Sequence, residues 1–373
     1  MTRRAAARLA GLLALACDPA PAAAPPPAPP PAAPPVVERV GFPSDLKSDE
    51  ELRLFPAVAV PAGPGAWDVR LRAWVFEPEE DSWRRGAALE VLAAALDLPT
   101  GAQEDAIFRR RARAFLVDNE RGKRLVVQIG FKEHVLESTG ANGHSETVLR
   151  LTDADLAAAV TPVVAVLPPG DGRSFTGTIV RLAPAGTSVV SDVDDTIKIS
   201  EVRDKARLLE RTFLREFEAV PGLADRYRQW AGTGAAFHYL SASPWQLYDA
   251  LAEFNVAAGY PAGTMHLKTF RPKDSSFFSL FQDPKAYKAP LLEALIGGVS
   301  GRRFVLVGDS GELDPEAYAD AYRRFPTQVA AIYIRDVTGE PRDAPRYQTA
   351  FAGIPADRWH LFREASELPA ALP

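Results

Sequence analysis

Two textures of apolar and polar positions divide most of the chain. Up to about Gly186 the apolar residues come in short runs, "AWDVRLRAWVFEP", "KRLVVQIGF", "ETVLRLT", "VVAVLP" and "TGTIVRLA", separated by Gly, Asn and Asp. Alternation with period two buries one side of such a run and wets the other, so these runs predict strands. Leu89 to Leu98 and Ala106 to Leu116 carry helical spacing instead, and together they predict a small β-sandwich decorated by helices over residues 37–186. After Gly186 the strands are apolar throughout: "TSVVSD", "AFHYLSAS", "RRFVLVGDS" and "QVAAIYIRDV". Helical stretches, "DKARLLERTFLREFEAV", "GLADRYRQWAGTG", "PWQLYDALAEF", "KAPLLEALIGG" and "PEAYADAYRRF", separate them. Strands apolar on both faces and spaced by helices predict a parallel α/β sheet over residues 187–373.

The first 36 residues have a third texture. Arg3, Arg4 and Arg8 precede a short apolar run, Leu9 to Ala16, which is too short to span a bilayer permanently and has the order of an export signal. The run ends in "ALAC", so residues 1–17 fit either a lipoprotein box, with Cys17 as the lipidated first residue, or a small-x-small cleavage site after Ala16. The expected location is therefore that of an exported bacterial lipoprotein held at a membrane on the periplasmic or cell-surface side. Simple secretion and a mis-assigned start on a cytosolic protein are the alternatives. Residues 18–36, "DPAPAAAPPPAPPPAAPPV", cannot form a core; at ~3.1 Å per residue they reach on the order of 60 Å as a polyproline tether.

Composition narrows the field in two ways. The chain of 373 residues is 47% hydrophobic and 24% charged, an ordinary mix for a packed protein, and its net charge of −5 excludes a generally basic nucleic-acid binder. Cys17 is the single cysteine, so no internal disulfide supports the fold.

In an open parallel sheet, ligands gather beyond the carboxyl ends of the strands. After "TSVV" come Ser191, Asp192, Asp194 and Thr196; after "FHYL" come Ser241 and Ser243; after "FVLV" come Gly308, Asp309, Ser310 and then Asp314. Carboxylates so close repel unless a cation sits among them, and hard oxygen ligands suit Mg²⁺. An EF-hand reading fails, because Ile197 and Arg203 occupy the places of its Gly and Glu. A hydrolase reading of "GDSG" also fails: there is no G-x-S-x-G, and His238 lies inside a strand run as a satisfied core residue.

These residues resemble the haloacid dehalogenase superfamily. Asp192-Val193-Asp194-Asp195-Thr196 matches its D-x-D-x-T motif, Ser241 its second, Lys288 (with Lys285 as the fallback) its third, and Gly308, Asp309 and Asp314 its fourth. The words "SDVDDTIKIS", "FHYLSASPWQLY" and "FVLVGDSGELDPEAY" are similar to the catalytic domain of the actin-patch phosphatidate phosphatase family. The resemblance implies Mg²⁺-dependent removal of phosphate from phosphatidate. It implies Asp192 as nucleophile and Asp194 as proton shuttle, with Mg²⁺ held by Asp192, the Asp194 carbonyl, Asp309 and Asp314. Thr196 would tie the loop, and with Ser241 and Lys288 it makes up the phosphate-binding set. Other phospholipids, a soluble phosphomonoester, or a catalytically silent lipid-binding lipoprotein remain the alternatives.

Four features are left over. Asp195 reads as a solvated or capping residue. Ser243 and Trp245 read as fixing a strand-to-helix turn, with Pro244 at the first helical position, or else as substrate contacts. Arg109, Arg110, Arg111 and Arg113 read as a solvated helix face, or as a patch for anionic lipid. Phe270, Phe277, Phe278 and Phe281, with Lys268, Arg271 and Lys273, read as core or as a lid.

Overall fold

A computed structural model of the chain describes residues 37–78, 82–269 and 284–373, with 82–85 and 284–286 described by backbone alone. Cys17, the Pro/Ala tract, the four Phe of the lid reading with Arg271 and Lys273, and the Lys285 side chain lie outside the described residues.

Among the described residues, strands β1 (Glu51–Leu54), β2 (Ala57–Pro61), β3 (Ala66–Glu77), β4 (Asp118–Asn119), β5 (Val126–Ile129), β6 (Lys132–Val135), β7 (His144–Thr152), β8 (Val160–Ala165) and β9 (Thr176–Arg181) form the first sheet. Its pairs are antiparallel except β2 with β9. The twelve-residue β3 is its spine, pairing with β1, β2, β4 and β7. The alternation seen in the sequence survives: in β7 every second residue is buried, ending on Leu149 and Leu151, which join Val69, Leu71, Val127 and Ile179 in one core.

The second sheet runs in the order β12 (Thr264–Lys268), β11 (Ala236–Pro244), β10 (Gly186–Asp192), β13 (Arg302–Asp309), β14 (Val329–Arg335), β15 (Trp359–Phe362). All its pairs are parallel, in agreement with the α/β fold expected from the apolar runs. Its order reverses at β10, so the strand ends of β10, β11 and β13 open onto one crevice. Helices α1 (Ser82–Ala95) and α2 (Ala106–Ala112) belong to the first half; α3 (Lys205–Phe213), α4 (Leu223–Gly232), α5 (Tyr248–Ala258), α6 (Pro284–Gly297), α7 (Asp314–Arg324) and α8 (Pro345–Ala350) to the second.

The sheets are joined where Arg302, itself buried, donates to the carbonyls of Ala183, Ala185 and Thr187 and to Ser188 Oγ. They also share a core: Phe55, Trp74 and Phe108 from one half pack in one cluster with Val189, Phe213, Trp230 and Trp245 from the other. Residues Val37–Pro373 accordingly form one compact unit.

Two helices differ from expectation. The stretch predicted to be helical to Val220 stops at Phe213, where Arg111 takes the carbonyls of Thr212 and Arg215, each at 2.6 Å. Arg111 is 4% exposed, its guanidinium 3.7 Å from the Phe217 ring, and burial pushes its pKa down to about 10. The solvated-face reading of the arginine cluster is thus wrong for Arg111, while Arg110 pairs with Glu216 at 2.9 Å. Pro244 ends β11 and precedes a short 3-10 turn at Trp245–Leu247 rather than opening a helix.

Candidate active site

Past Asp192 the chain turns sharply. Asp195 adopts a left-handed conformation (φ 54°), which Asp tolerates better than most residues, and its carboxylate accepts from three backbone N–H groups. Ser200 and Glu201 donate to Oδ1 at 2.8 Å and Val202 to Oδ2 at 2.7 Å, while Arg335 donates to the Asp195 carbonyl at 2.7 Å. Asp195 therefore caps this turn, as one of its two readings had it; it is buried, not solvated. The turn brings Lys198 and Ser200 back against Asp194.

The ends of β10 and β13 carry the acidic centre. Asp192, Asp309, Asp314 and Lys288 are each 0–1% exposed, and oxygens of the three Asp residues lie within 4.8 Å of one another. Lys288, on α6, donates to Asp192 Oδ1 at 2.7 Å, to Glu312 Oε2 at 3.3 Å and, through a short contact, to Asp314 Oδ1. An ammonium has three protons, so all are engaged; the phosphate-binding role expected for Lys288 requires the longest contact, Glu312, to give way. Asp309 Oδ1 accepts from the N–H groups of Gly311 (2.6 Å) and Glu312 (3.2 Å). Gly308 lets α7 come close: a Cβ there would sit 2.7 Å from Asp314 Cβ.

This set fits a divalent cation. Asp192 Oδ2 and Asp309 Oδ2 are both buried without a hydrogen-bond partner among the described residues, an arrangement costly for carboxylates unless a cation meets them. Burial, together with the facing Asp314, Glu312 and Asp309 carboxylates, pushes the Asp192 pKa up although Lys288 pulls it down; Asp309 shifts the same way. Burial likewise pushes Glu312 up to about 7. Asp314 offers no orphaned oxygen, because Lys288 and the Asp309 N–H already occupy both. It fits an indirect role, through water or as the anchor of Lys288.

Asp194 has a separate environment. Its Oδ1 faces Lys198 Nζ at 2.7 Å and Ser200 Oγ at 2.8 Å; its Oδ2 accepts from Ser241 Oγ at 2.8 Å and Ser243 Oγ at 3.3 Å. Burial raises its pKa, but the Lys198 ammonium and the hydroxyl donors outweigh it and hold the carboxyl at about 2. Lys198 is 1% exposed and lies 4.8 Å from the ring of Phe217, the same ring that Arg111 covers. Ser241, expected at the phosphate, and Ser243, read as fixing a turn or else as a substrate contact, are both directed at Asp194. Thr196 is fully buried with its hydroxyl unpartnered among the described residues, so it ties the loop through no side-chain bond to them.

Lys198 and Glu312 were not singled out by their sequence positions. The signal for Lys198 is a lysine between Ile197 and Ile199, four residues past Asp194; for Glu312, a further acid between Asp309 and Asp314. His238 is the satisfied core imidazole expected, bonded to Thr264 Oγ1 at 2.9 Å and Ser188 Oγ at 3.3 Å.

Comparison with known proteins converges on the same strands. Residues 187–336 match the family model described as phosphatidate phosphatase APP1, catalytic domain. Phosphatidate phosphatase APP1 of Saccharomyces cerevisiae is 31% identical over 171 residues, 44% of this chain and 28% of that protein. An uncharacterized protein of Schizosaccharomyces pombe is 31% identical over 159 residues, 42% of this chain and 26% of its own length. The chain thus spans little more than a quarter of these curated relatives. A crystal structure described as a beta-phosphoglucomutase from Thermotoga maritima aligns at 12% identity with 48% of this chain and 94% of its own, at a TM-score of 0.29.

Proposed function

Since residues 187–336 belong to the catalytic-domain family of phosphatidate phosphatase APP1, we propose that this chain is a Mg²⁺-dependent phosphomonoesterase whose substrate is phosphatidate. The observation that carries the chemistry is the pair of orphaned oxygens, Asp192 Oδ2 and Asp309 Oδ2, beside Lys288.

A carboxylate oxygen of Asp192 attacks phosphorus, and the bond from phosphorus to the glycerol oxygen breaks, leaving an aspartyl phosphate and an alkoxide. Asp194 gives the alkoxide its proton, which must arrive with the monoprotonated phosphate because the four donors around Asp194 keep it ionised at neutral pH. Water then attacks the aspartyl phosphate, Asp194 takes the proton, and phosphate leaves with Asp192 restored. Lys288 holds the nucleophile in place, and Ser241 and Ser243 aim Asp194. Mg²⁺, when held by Asp192, Asp309 and the Asp194 carbonyl, neutralises charge on the phosphoryl oxygens. The amino-terminal signal adds a location: Cys17 as a lipid anchor would place this site on a tether at a membrane surface, and a Cys17→Ser variant that still partitions with membranes would remove the anchor.

The test is phosphate release by residues 37–373 with Mg²⁺, from phosphatidate in mixed micelles and from p-nitrophenyl phosphate. Asp192→Asn and Asp194→Asn should each lose activity by at least ~10²-fold. Release that survives both substitutions removes the mechanism; release from the soluble ester alone removes the lipid assignment.

A further inference from the structure

A cleft of about 480 Å³ lies between the two sheets, within the range of ~300–1,000 Å³ usual for ligand sites. One wall comes from the first sheet (Val58, Val60, Val148), the other from β12 and α6 (Met265, Leu291, Leu295). The charges at its rim are all paired, with two arginines sharing one glutamate: Arg70 and Arg72 both pair with Glu146, and Asp68 pairs with Arg150 at 2.7 Å, which leaves the rim one positive charge in excess. Each of these rim charges already has an opposite partner, so the apolar walls between them decide the class of guest. Two lining side chains nevertheless carry buried polar hydrogens without a partner among the described residues, Trp245 Nε1 and Tyr287 Oη. Unmet donors in an apolar cleft call for a ligand that is mostly hydrocarbon and brings an acceptor.

Two separate segments of chain link the lining of the cleft to the catalytic residues. Tyr287 precedes Lys288 on α6, and Trp245 follows Ser243, which bonds Asp194, by two residues. Trp245 is further fixed by Phe55, 4.5 Å away, and by the Arg72 guanidinium, 4.9 Å above its ring. Both halves of the molecule therefore build this site, and neither holds it alone.

We propose that the cleft receives an acyl-ester arm of a glycerolipid, its carbonyl accepting from Trp245 Nε1 and Tyr287 Oη while the chain lies along the apolar walls. This rests on the lipid reading given above and assigns the recognition of the alcohol portion, on which the catalytic carboxylates are silent.

Two variants test it. Ala294→Trp places a bulky ring in the cleft from an exposed position on α6, and Tyr287→Phe removes one donor. For monomeric dioctanoyl phosphatidate, the ratio of its kcat/KM to that for p-nitrophenyl phosphate should fall at least tenfold in Ala294→Trp and about fivefold in Tyr287→Phe, through KM. Binding of dioctanoylglycerol, which has no phosphate, should weaken in both. Unchanged ratios and unchanged binding in both variants overturn the proposal. If the unmodified chain releases no phosphate from dioctanoyl phosphatidate, the lipid-phosphatase reading fails. Dioctanoylglycerol binding then decides the cleft alone: weakening in the variants supports it, and equal or absent binding overturns it.

Discussion

Replacing Lys198 by Met removes a buried ammonium and leaves Asp194 with only hydroxyl donors. The structure fixes the size of the effect. Lys198 Nζ is 2.7 Å from Asp194 Oδ1, both side chains are almost fully withdrawn from water, and the contact with the Phe217 ring is lost as well. Breaking a buried pair from one side costs about 3–5 kcal/mol because the remaining charge is stranded. Asp194→Asn should cost a similar amount by stranding Lys198. The double variant strands neither charge, and replacing a whole buried pair is often nearly neutral, so it should be at least ~2 kcal/mol more stable than the sum of the single losses predicts. Urea denaturation followed by tryptophan fluorescence measures all four corners of the cycle. Kinetics supplies a second readout: without Lys198 the largest force holding the Asp194 pKa at about 2 is gone, so the acid limb of kcat for p-nitrophenyl phosphate moves to higher pH. Single losses that simply add, within about 0.5 kcal/mol, would refute the pairing as the source of Asp194's ionisation.

Gly308→Ala should cost about 1–3 kcal/mol and lower phosphate release more than tenfold, since its Cβ would displace Asp314 and with it Lys288; thermal denaturation and phosphate release measure both. Mg²⁺ at a hundred times its Kd should stabilise the chain by ~2.7 kcal/mol in a thermal shift experiment, an effect that EDTA reverses and Asp309→Asn abolishes; an Asn variant that responds like the unmodified chain would argue against this cation site. His144 and His238 are buried with pKa values held at about 3, in His144 by burial and then Arg72, in His238 by burial and then His266 and Arg302. Below pH ~6.5 the unfolded chain takes up protons that the folded one refuses, so the stability these residues supply is complete above that pH and falls as pH drops toward 3. The slope is about 1.4 kcal/mol per pH unit for each; His266, held at about 4 chiefly by burial, adds a third such contribution, so His238→Gln should remove about a third of the joint effect in urea midpoints taken between pH 6 and 4.5.

The sequence was most legible where burial is symmetrical. "TSVVSD" and "RRFVLVGDS" show no alternation, with Val189–Val190 and Phe304–Val307 as unbroken apolar runs, because β10 and β13 lie inside the second sheet, covered on both faces; Asp192 and Asp309 stand at their ends, and Asp314 five residues on. The edge strands β12 and β15 escaped notice, having five and four residues and flanking sequences without such a run. The early end of α3 was hidden because it depends on Arg111, about a hundred residues upstream in the chain. The same holds within the site. Spacing alone identified which residues meet, but not which hydroxyls are committed to which carboxylate. Ser241 looked like a phosphate ligand because the strand end faces the crevice, and only the folded turn at Asp195, which returns Lys198 and Ser200, shows that Asp194 draws four donors to itself.

The shared core has a consequence for how this protein can be varied. The part recognisable in distant relatives, residues 187–336, is shorter than the part that folds as one body, residues 37–373. Phe55 against Trp245 and Arg302 against the 183–187 connection mean that a catalytic segment moved to another protein by itself would carry an open seam. Inheritance can therefore conserve the chemistry of the smaller piece while natural exchange, or an engineer's scissors, has to respect the outline of the larger one.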